Sequence, residues 1–336
     1  MTGTPEVNPV IDPEIPAAVM PDKGSKLAVI GAGAVGSACV YASMIKGVAR
    51  EYALFDINES KVKAEALDIA QGSQFAPVST VEGSSDMAVI KDADVVVITA
   101  GAKQKPGQSR LDLAGATINI MKDVIPKAVE QAPNAIFLLV SNPVDVVTYA
   151  GLKISGMTPD HFFGSGTVLD SSRLRYLIAQ HCGVSAQTVH AYIAGEHGDS
   201  EIPLWSSAII GAVPLLQWGE TVDGRKLDES LREAIHHEVV NSAYSIIEGK
   251  GATNYAIGLS VAQIVTTILR DERRVLPVST LLDDWMGISD VCMSVPTLVG
   301  RSGVGRRLVP VVTPDEYRGL RASADSIRHV ASKFGM

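Results

Sequence analysis

The sequence predicts a doubly wound α/β fold, a parallel sheet with helices on both faces, followed by a mixed α+β half. Three observations predict it. Short Val/Ile-rich runs alternate with helical patterns through the first 165 residues. Each run is apolar on successive residues, as a strand buried on both faces of a parallel sheet must be. The turn after the first run reads Gly31-Ala32-Gly33-Ala34-Val35-Gly36 and opens directly into a helical pattern.

The elements follow in order. Leu27–Ile30 is a predicted strand, and the helix after the glycine turn runs from about Val35 to Lys46. A second strand, Tyr52–Asp56, precedes a helix over Ser60–Gln71. Ala93–Thr99 reads as the third strand, Asp112–Gln131 as a long helix and Ile136–Val140 as another buried strand. Strands alternating with helices in this way form βαβ units. Beyond residue 165 the pattern is mixed. Ser165–His181 reads as a helix stopped by Gly183, Val189–Ile193 as a strand, and Asp228–Glu248 and Ala256–Leu269 as helices. Short strands are expected around Val275–Leu282 and Val291–Val299. Thr313, Pro314 and Glu316 have the order of an N-cap, a first-turn proline and a capping-box acid, so a last helix starts there.

This gives three regions. Residues 1–24 hold five of the seventeen prolines and read as a flexible Pro-rich tail. Two domains are expected, over residues 25–165, which carry the glycine turn, and over 166–336. A chain of 336 residues exceeds what one core usually serves.

Composition excludes several classes. A net charge of −8, with no Lys/Arg-rich block, argues against a nucleic-acid partner. No apolar run approaches the ~18 residues of a membrane span, and the N-terminus has no signal-peptide pattern. The three cysteines, Cys39, Cys182 and Cys292, are sparse and lack CxxC spacing. They fit a reducing, cytoplasmic setting and offer no zinc site. His236 and His237 do not begin an HExxH motif, because position 241 is Asn. No metal is expected.

The glycine turn has a stated chemistry. Gly31 permits the tight turn, Gly33 lets a pyrophosphate approach the backbone, and Gly36 lets helix and strand pack closely. The helix N-terminus supplies free N–H groups to the phosphates. Asp56 ends the second strand twenty residues past Gly36. A carboxylate there accepts from ribose hydroxyls and repels a 2′-phosphate, which favours NAD over NADP. The competing reading makes Asp56 a turn cap.

Three further segments carry chemistry. Residues 101–110, GAKQKPGQSR, are polar and glycine-punctuated, the composition of a lid. Ser141-Asn142-Pro143-Val144-Asp145 follows a strand at the sheet's carboxyl edge, where such folds bind ligands. Asp170 and Arg173 lie three apart on one helix face, and Gly195-Glu196-His197-Gly198-Asp199 follows a strand. Taken singly, an Asp/Arg pair or a His in a glycine turn is more often a solvated surface feature.

Taken together and in order, GAGAVG, GAKQKPGQSR, SNPVD, LDSSRLR and GEHGD resemble the lactate/malate dehydrogenase family from about Ser25 to the C-terminus. The resemblance implies a Rossmann NAD-binding, dinucleotide-binding domain over 25–165 and a substrate-binding, catalytic domain over 166–336, and it assigns roles. His197 exchanges the proton on the substrate oxygen, Asp170 orients and charges its ring, and Arg173 clamps the substrate carboxylate. Arg110 polarises the carbonyl. Asn142, Asp145 and Thr253 complete the substrate site. Gly31, Gly33, Val35, Gly36, Asp56, Lys61, Gly101, Ala102, Val140, Asn142 and Ser165 line the NAD site.

The resemblance also bears on substrate. Malate enzymes of the family carry Arg where this chain has Gln104. A neutral Gln cannot offset the distal carboxylate of oxaloacetate, so pyruvate and L-lactate are the expected pair, with Lys103 and Lys105 turned to solvent. Tyr255 stands where Trp is common nearby. Arg175 and His190 match positions by which bacterial members bind fructose 1,6-bisphosphate between subunits. Arg175, two residues past Arg173, leaves the helix on another side. His190 and His197 are ~20 Å apart if the strand runs on between them. A homotetramer is implied. The alternatives are a malate or other 2-hydroxy-acid dehydrogenase, a dinucleotide-sensing binding protein without catalysis, and, remotely, a NAD-dependent glycosidase.

Overall fold

The computed structural model describes residues 24–102 and 110–336, and of Arg110 the backbone alone. The expected tail, Gly24 apart, and Gln104 with its neighbours 103–109 lie outside the described residues.

The first half runs β1 (Lys26–Ile30), α1 (Ala34–Ile45), β2 (Glu51–Phe55), α2 (Glu59–Gln71), β3 (Thr80–Ser84), β4 (Val95–Ile98), α3 (Arg110–Gln131), β5 (Ile136–Leu139), α4 (Val144–Ser155) and β6 (Phe162–Gly164). After it come α5 (Val168–Cys182), β7 (Val189–His190), β8 (Ile193–Ala194), β9 (Ile202–Pro203), β10 (Ile209–Ile210), β11 (Val213–Pro214), α6 (Glu229–Lys250), α7 (Tyr255–Leu269), β12 (Arg274–Leu282), β13 (Val291–Gly300), β14 (Gly303–Arg307) and α8 (Pro314–Ser332).

The main sheet has nine strands in the order β14-β13-β12-β6-β5-β4-β1-β2-β3. Strands β1 to β6 pair in parallel. The last three join antiparallel, through Ser279 opposite Gly164. The expected short strands are thus a long hairpin that extends the first sheet. The sheet reverses its order between β1 and β4, and the glycine turn after β1 lies at that switch.

Both faces are buried, which is why the central strands are apolar on successive residues. Ala28, Ile30, Val96, Ile98, Phe137 and Leu139 pack on the face covered by α3, α4 and α8. Leu27, Val29, Val95, Val97 and Leu138 pack opposite, under α1 and α7. Each such fully buried side chain is worth roughly 1.5–3 kcal/mol over leaving it in water. A third cluster, around Leu174, Ile178, Val189, Leu231 and Ile235, ties α5 to α6.

Several elements differ from expectation. Strand β3 is an edge strand with no buried residue, so it lacks an apolar run. Helix α4 buries nine of its twelve residues in a row and shows no polar stripe to mark it. Helix α5 begins at Val168, not Ser165, because Gly166 turns with φ +53° and the Thr167 Oγ1 donates to the Ile193 carbonyl at 2.5 Å. The strand expected over Val189–Ile193 is broken: β7 pairs with β10 and β8 with β9. The straight run assumed between His190 and His197 does not exist. The last helix does start as its capping box requires, with Thr313 and Glu316 bonded reciprocally.

Candidate active site

The glycine turn shows a different constraint at each position. Gly31 has φ +110°, and a Cβ there would sit 2.7 Å from Thr99 Oγ1. At Gly36 a Cβ would fall 1.8 Å from the Gly31 carbonyl, so helix and turn touch there with no room to spare. At Gly33 a Cβ would meet nothing within 4 Å. Gly33 is therefore not needed for packing, and the space in front of it is open. Gly33 also caps α1 without a side-chain hydrogen bond, and the first turn of α1 holds no acid. An open, uncapped N-terminus fits an anion. Asp56 Oδ2 accepts the Ala32 N–H at 2.8 Å and Oδ1 the Asn58 N–H at 3.0 Å. Asp56 caps the turn and faces the glycine loop, with lone pairs to spare.

The remaining expected cofactor residues sit at the carboxyl ends of the strands. Gly101 and Ala102 follow β4, Val140 and Asn142 follow β5, and Ser165 follows β6 and donates its N–H to the Leu139 carbonyl at 2.8 Å. Asn142 is exposed at its side chain, while its carbonyl accepts from Thr117 Oγ1 at 3.2 Å. Lys61 lies in the first turn of α2, exposed, with its N–H held by Asn58 Oδ1. These groups fit a dinucleotide laid across the sheet edge.

At the same edge stands a charged cluster. Asp170 opens α5, and Arg173 follows one turn later. Arg173 Nη1 donates to Asp170 Oδ1 at 2.8 Å, and His197 Nδ1 meets Asp170 Oδ2 at 2.5 Å. The Asp170 side chain is 3% exposed, Arg173 14% and His197 26%, so the ring and the guanidinium look outward from a buried carboxylate. With Nδ1 engaged, Nε2 is the nitrogen left for a ligand. The His197 loop turns at Gly195, φ +98°, and Gly198, φ +152°.

Asp145 sits differently from the substrate role expected of it. It is 2% exposed, with Oδ2 accepting the His197 backbone N–H at 2.7 Å and Oδ1 accepting Ser279 Oγ at 2.6 Å. It holds the loop that carries His197 and does not face the opening. Burial raises its carboxyl to about 6 against the hydrogen bonds from Ser279 and His197.

Burial also works against a charged His197, yet the charge and hydrogen bond of Asp170, with the charge of Asp145 behind, raise it to about 9. Burial opposes the charge on Asp170 as well. The His197 and Arg173 cations overcome it and lower the carboxyl. At neutral pH the site therefore holds an imidazolium, a carboxylate and a guanidinium.

The other expected residues are placed as follows. Thr253 is half-buried between α6 and α7, and among the described residues no hydrogen bond joins it to the cluster. Arg175 leaves α5 away from Asp170. Its Nε donates to the Ala191 carbonyl at 2.8 Å, and its guanidinium lies 4.9 Å from the Tyr192 ring centre. His190 is exposed on β7, next in sequence to Ala191. Two residues of the cluster escaped the sequence reading, Ser279 and Glu201. A serine inside an apolar strand run was the available sign of the first. The second carried none beyond an acid four residues past His197.

Residues 25–164 match the family model described as lactate/malate dehydrogenase, NAD binding domain, and residues 167–333 match the lactate/malate dehydrogenase α/β C-terminal domain. The chain belongs to the lactate/malate dehydrogenase family. Within that family it is 58% identical to an L-lactate dehydrogenase of Bifidobacterium animalis subsp. lactis, over 94% of this chain and 98% of the relative. An L-lactate dehydrogenase of Synechococcus is 46% identical over 92% of this chain and 98% of its own. A crystal structure of a minor L-lactate dehydrogenase from Enterococcus mundtii superimposes with a TM-score of 0.88 at 37% identity, covering 92% of this chain and 98% of that one. As a member of this family the chain is an NAD-binding oxidoreductase, and the open Gly33 turn is its own evidence for that cofactor.

Proposed function

We propose that this member of the family is an L-lactate dehydrogenase, moving a hydride reversibly between NADH and pyruvate to give L-lactate and NAD. One observation carries it: His197, charged and buried against Asp170, stands beside Arg173 at the carboxyl edge of the sheet. When bound, NADH supplies the hydride. Arg173 offers its remaining N–H groups to the substrate carboxylate, and His197 Nε2 gives its proton to the substrate oxygen as the hydride arrives. Asp170 keeps the ring oriented and charged, and Asp145 and Ser279 fix the backbone behind it. In the reverse direction neutral His197 takes the alcohol proton. Arg110, Asn142 and Thr253 complete the substrate contacts, and Gln104 selects pyruvate over oxaloacetate for want of a second cation.

The finer reading has three parts. Fructose 1,6-bisphosphate binds at Arg175 and His190 and activates the enzyme; the reach of Arg175 to Ala191 and Tyr192, next in the chain to His190, supports this. The chain assembles as a homotetramer; exposed Tyr41 and Ile45 on α1, with Tyr255 and Leu259 on α7, support an apolar interface. It works in the cytoplasm, in glycolytic and fermentative reduction of pyruvate; three unpaired cysteines support a reducing setting. No described helix is long and apolar enough to cross a membrane.

The test is NADH oxidation with pyruvate and with oxaloacetate, each with and without fructose 1,6-bisphosphate. Preference for pyruvate is expected, with stimulation by the bisphosphate. Preference for oxaloacetate overturns the substrate assignment, and an unchanged rate overturns the effector.

A further inference from the structure

Glu201 lies in the turn that closes the His197 loop, its N–H donating to the Gly198 carbonyl at 3.2 Å. It is 3% exposed, and Oε1 has no hydrogen-bond partner among the described residues. A carboxylate oxygen of Glu201, one of Asp170 and a ring nitrogen of His197 all lie within 4.8 Å of one another. His236 of α6 lies against the Glu201 backbone, behind the turn.

Of two carboxylates in one buried space, each disfavours the charge of the other, and the one with fewer partners is pushed toward its neutral form. Asp170 has the stronger claim to the charge. Its two oxygens take Arg173 and His197, while Glu201 Oε1 takes nothing. We infer that Glu201 is a positioning residue of the hydride-transfer site, a neutral, proton-bearing carboxyl that leaves the anionic role to Asp170 and keeps excess negative charge away from an incoming carboxylate. The inference rests on the function proposed above.

The groups facing Glu201 decide its titration. Asp170 and Arg173 come from α5, His197 and Asp199 from its own loop, and His236 from α6. Burial, then the Asp170 charge, push it up to about 9; His197 and Arg173 pull it down, and Asp199 pushes it further up. Above that pH a second anion stands beside Asp170 and His197, behind the groups that receive the substrate carboxylate. The working site then loses two protons in the alkaline range, one from His197 and one from Glu201. Because the two interact, the steps belong to the pair.

Two measurements test this. The first is kcat/KM for pyruvate with saturating NADH from pH 7 to 10.5, in the intact protein and in Glu201→Gln. The final slope of log kcat/KM against pH is expected to approach −2 in the intact protein and −1 in the variant. A final slope of −1 in the intact protein overturns the inference without any variant, and equal slopes in both do the same. The second needs no substrate. Between pH 7 and 10.5 the intact protein should release about one proton more per chain than Glu201→Gln in a potentiometric difference titration. Equal release overturns the inference. Absence of pyruvate reduction alongside the extra proton would sink only the function proposed above.

Discussion

Asp145 accepts the backbone N–H of His197 at 2.7 Å, across 52 residues of chain, and so ties α4 to the loop that carries the catalytic imidazole. The bond is to the backbone, so it sets where the loop lies, and the ring direction is left to Asp170. A buried carboxylate used in this way has a cost that can be measured.

Asp145 titrates at about 6 in the folded chain, above the ordinary 3.8. A group raised in this way contributes stability that is full below its unfolded pKa and is lost as pH rises through the folded one. Asp145→Asn has no such loss. Its Tm relative to the unsubstituted protein should therefore improve from pH 4.5 to pH 7.5, while kcat/KM for pyruvate drops ~10-fold as the loop loosens. Parallel Tm curves would show that Asp145 is not titrating in this window.

Asp170→Asn removes the main support of the imidazolium. His197 sits at about 9 because Asp170 outweighs burial. Without that charge, burial lowers the ring's pKa. Reduction of pyruvate uses the protonated ring, which is present below the folded pKa and lost above it. The alkaline limb of reduction should move to lower pH, with kcat/KM at pH 7.5 lower by ~10²-fold or more. An unmoved limb would mean that another group donates the proton.

Gly33 and Gly36 should fail in different ways. A Cβ at Gly36 would strike the Gly31 carbonyl, whereas one at Gly33 would meet nothing within 4 Å. Gly36→Ala is expected to lower Tm by several degrees and weaken NADH binding with it. Gly33→Ala should keep its Tm and lose affinity for NADH ~10-fold or more, because only the pyrophosphate needs that space. Fluorescence titration with NADH beside thermal melts separates the two.

Arg173→Lys keeps the charge and loses the fork. Arg173 already spends Nη1 on Asp170, and its other N–H groups suit a planar carboxylate; a single ammonium cannot serve both partners. KM for pyruvate should rise ~100-fold with a smaller fall in kcat. A change confined to kcat would move the substrate anchor elsewhere.

The sequence made some of this legible and hid the rest for physical reasons. Patterns showed where a short strand is buried on both faces, as at β1, and where glycine or a cap is obligatory, as at the Gly31–Gly36 turn and Thr313. They failed in α4, whose nine successive buried residues leave no helical stripe, and in β3, which buries nothing. At the site, His197, Asp170 and Arg173 were readable because their motifs stand in the order of the family the chain resembles. Ser279 and Glu201 were not, since each reaches the cluster through a fold contact that no local spacing records. Asp145 was found, but as a substrate contact. Its true neighbours, a backbone amide and a strand serine, become visible only once β12 lies beside β6.

That junction has a consequence for anyone who would recombine this enzyme. The cofactor half and the catalytic half are stitched along one sheet, at Ser279 opposite Gly164. A Cβ on Gly164 would lie 2.4 Å from Thr148 Oγ1. A chimera cut near residue 165 inherits one side of the seam from each parent. It will close only if the donors agree at Thr148, Gly164 and Ser279, however well the rest is matched.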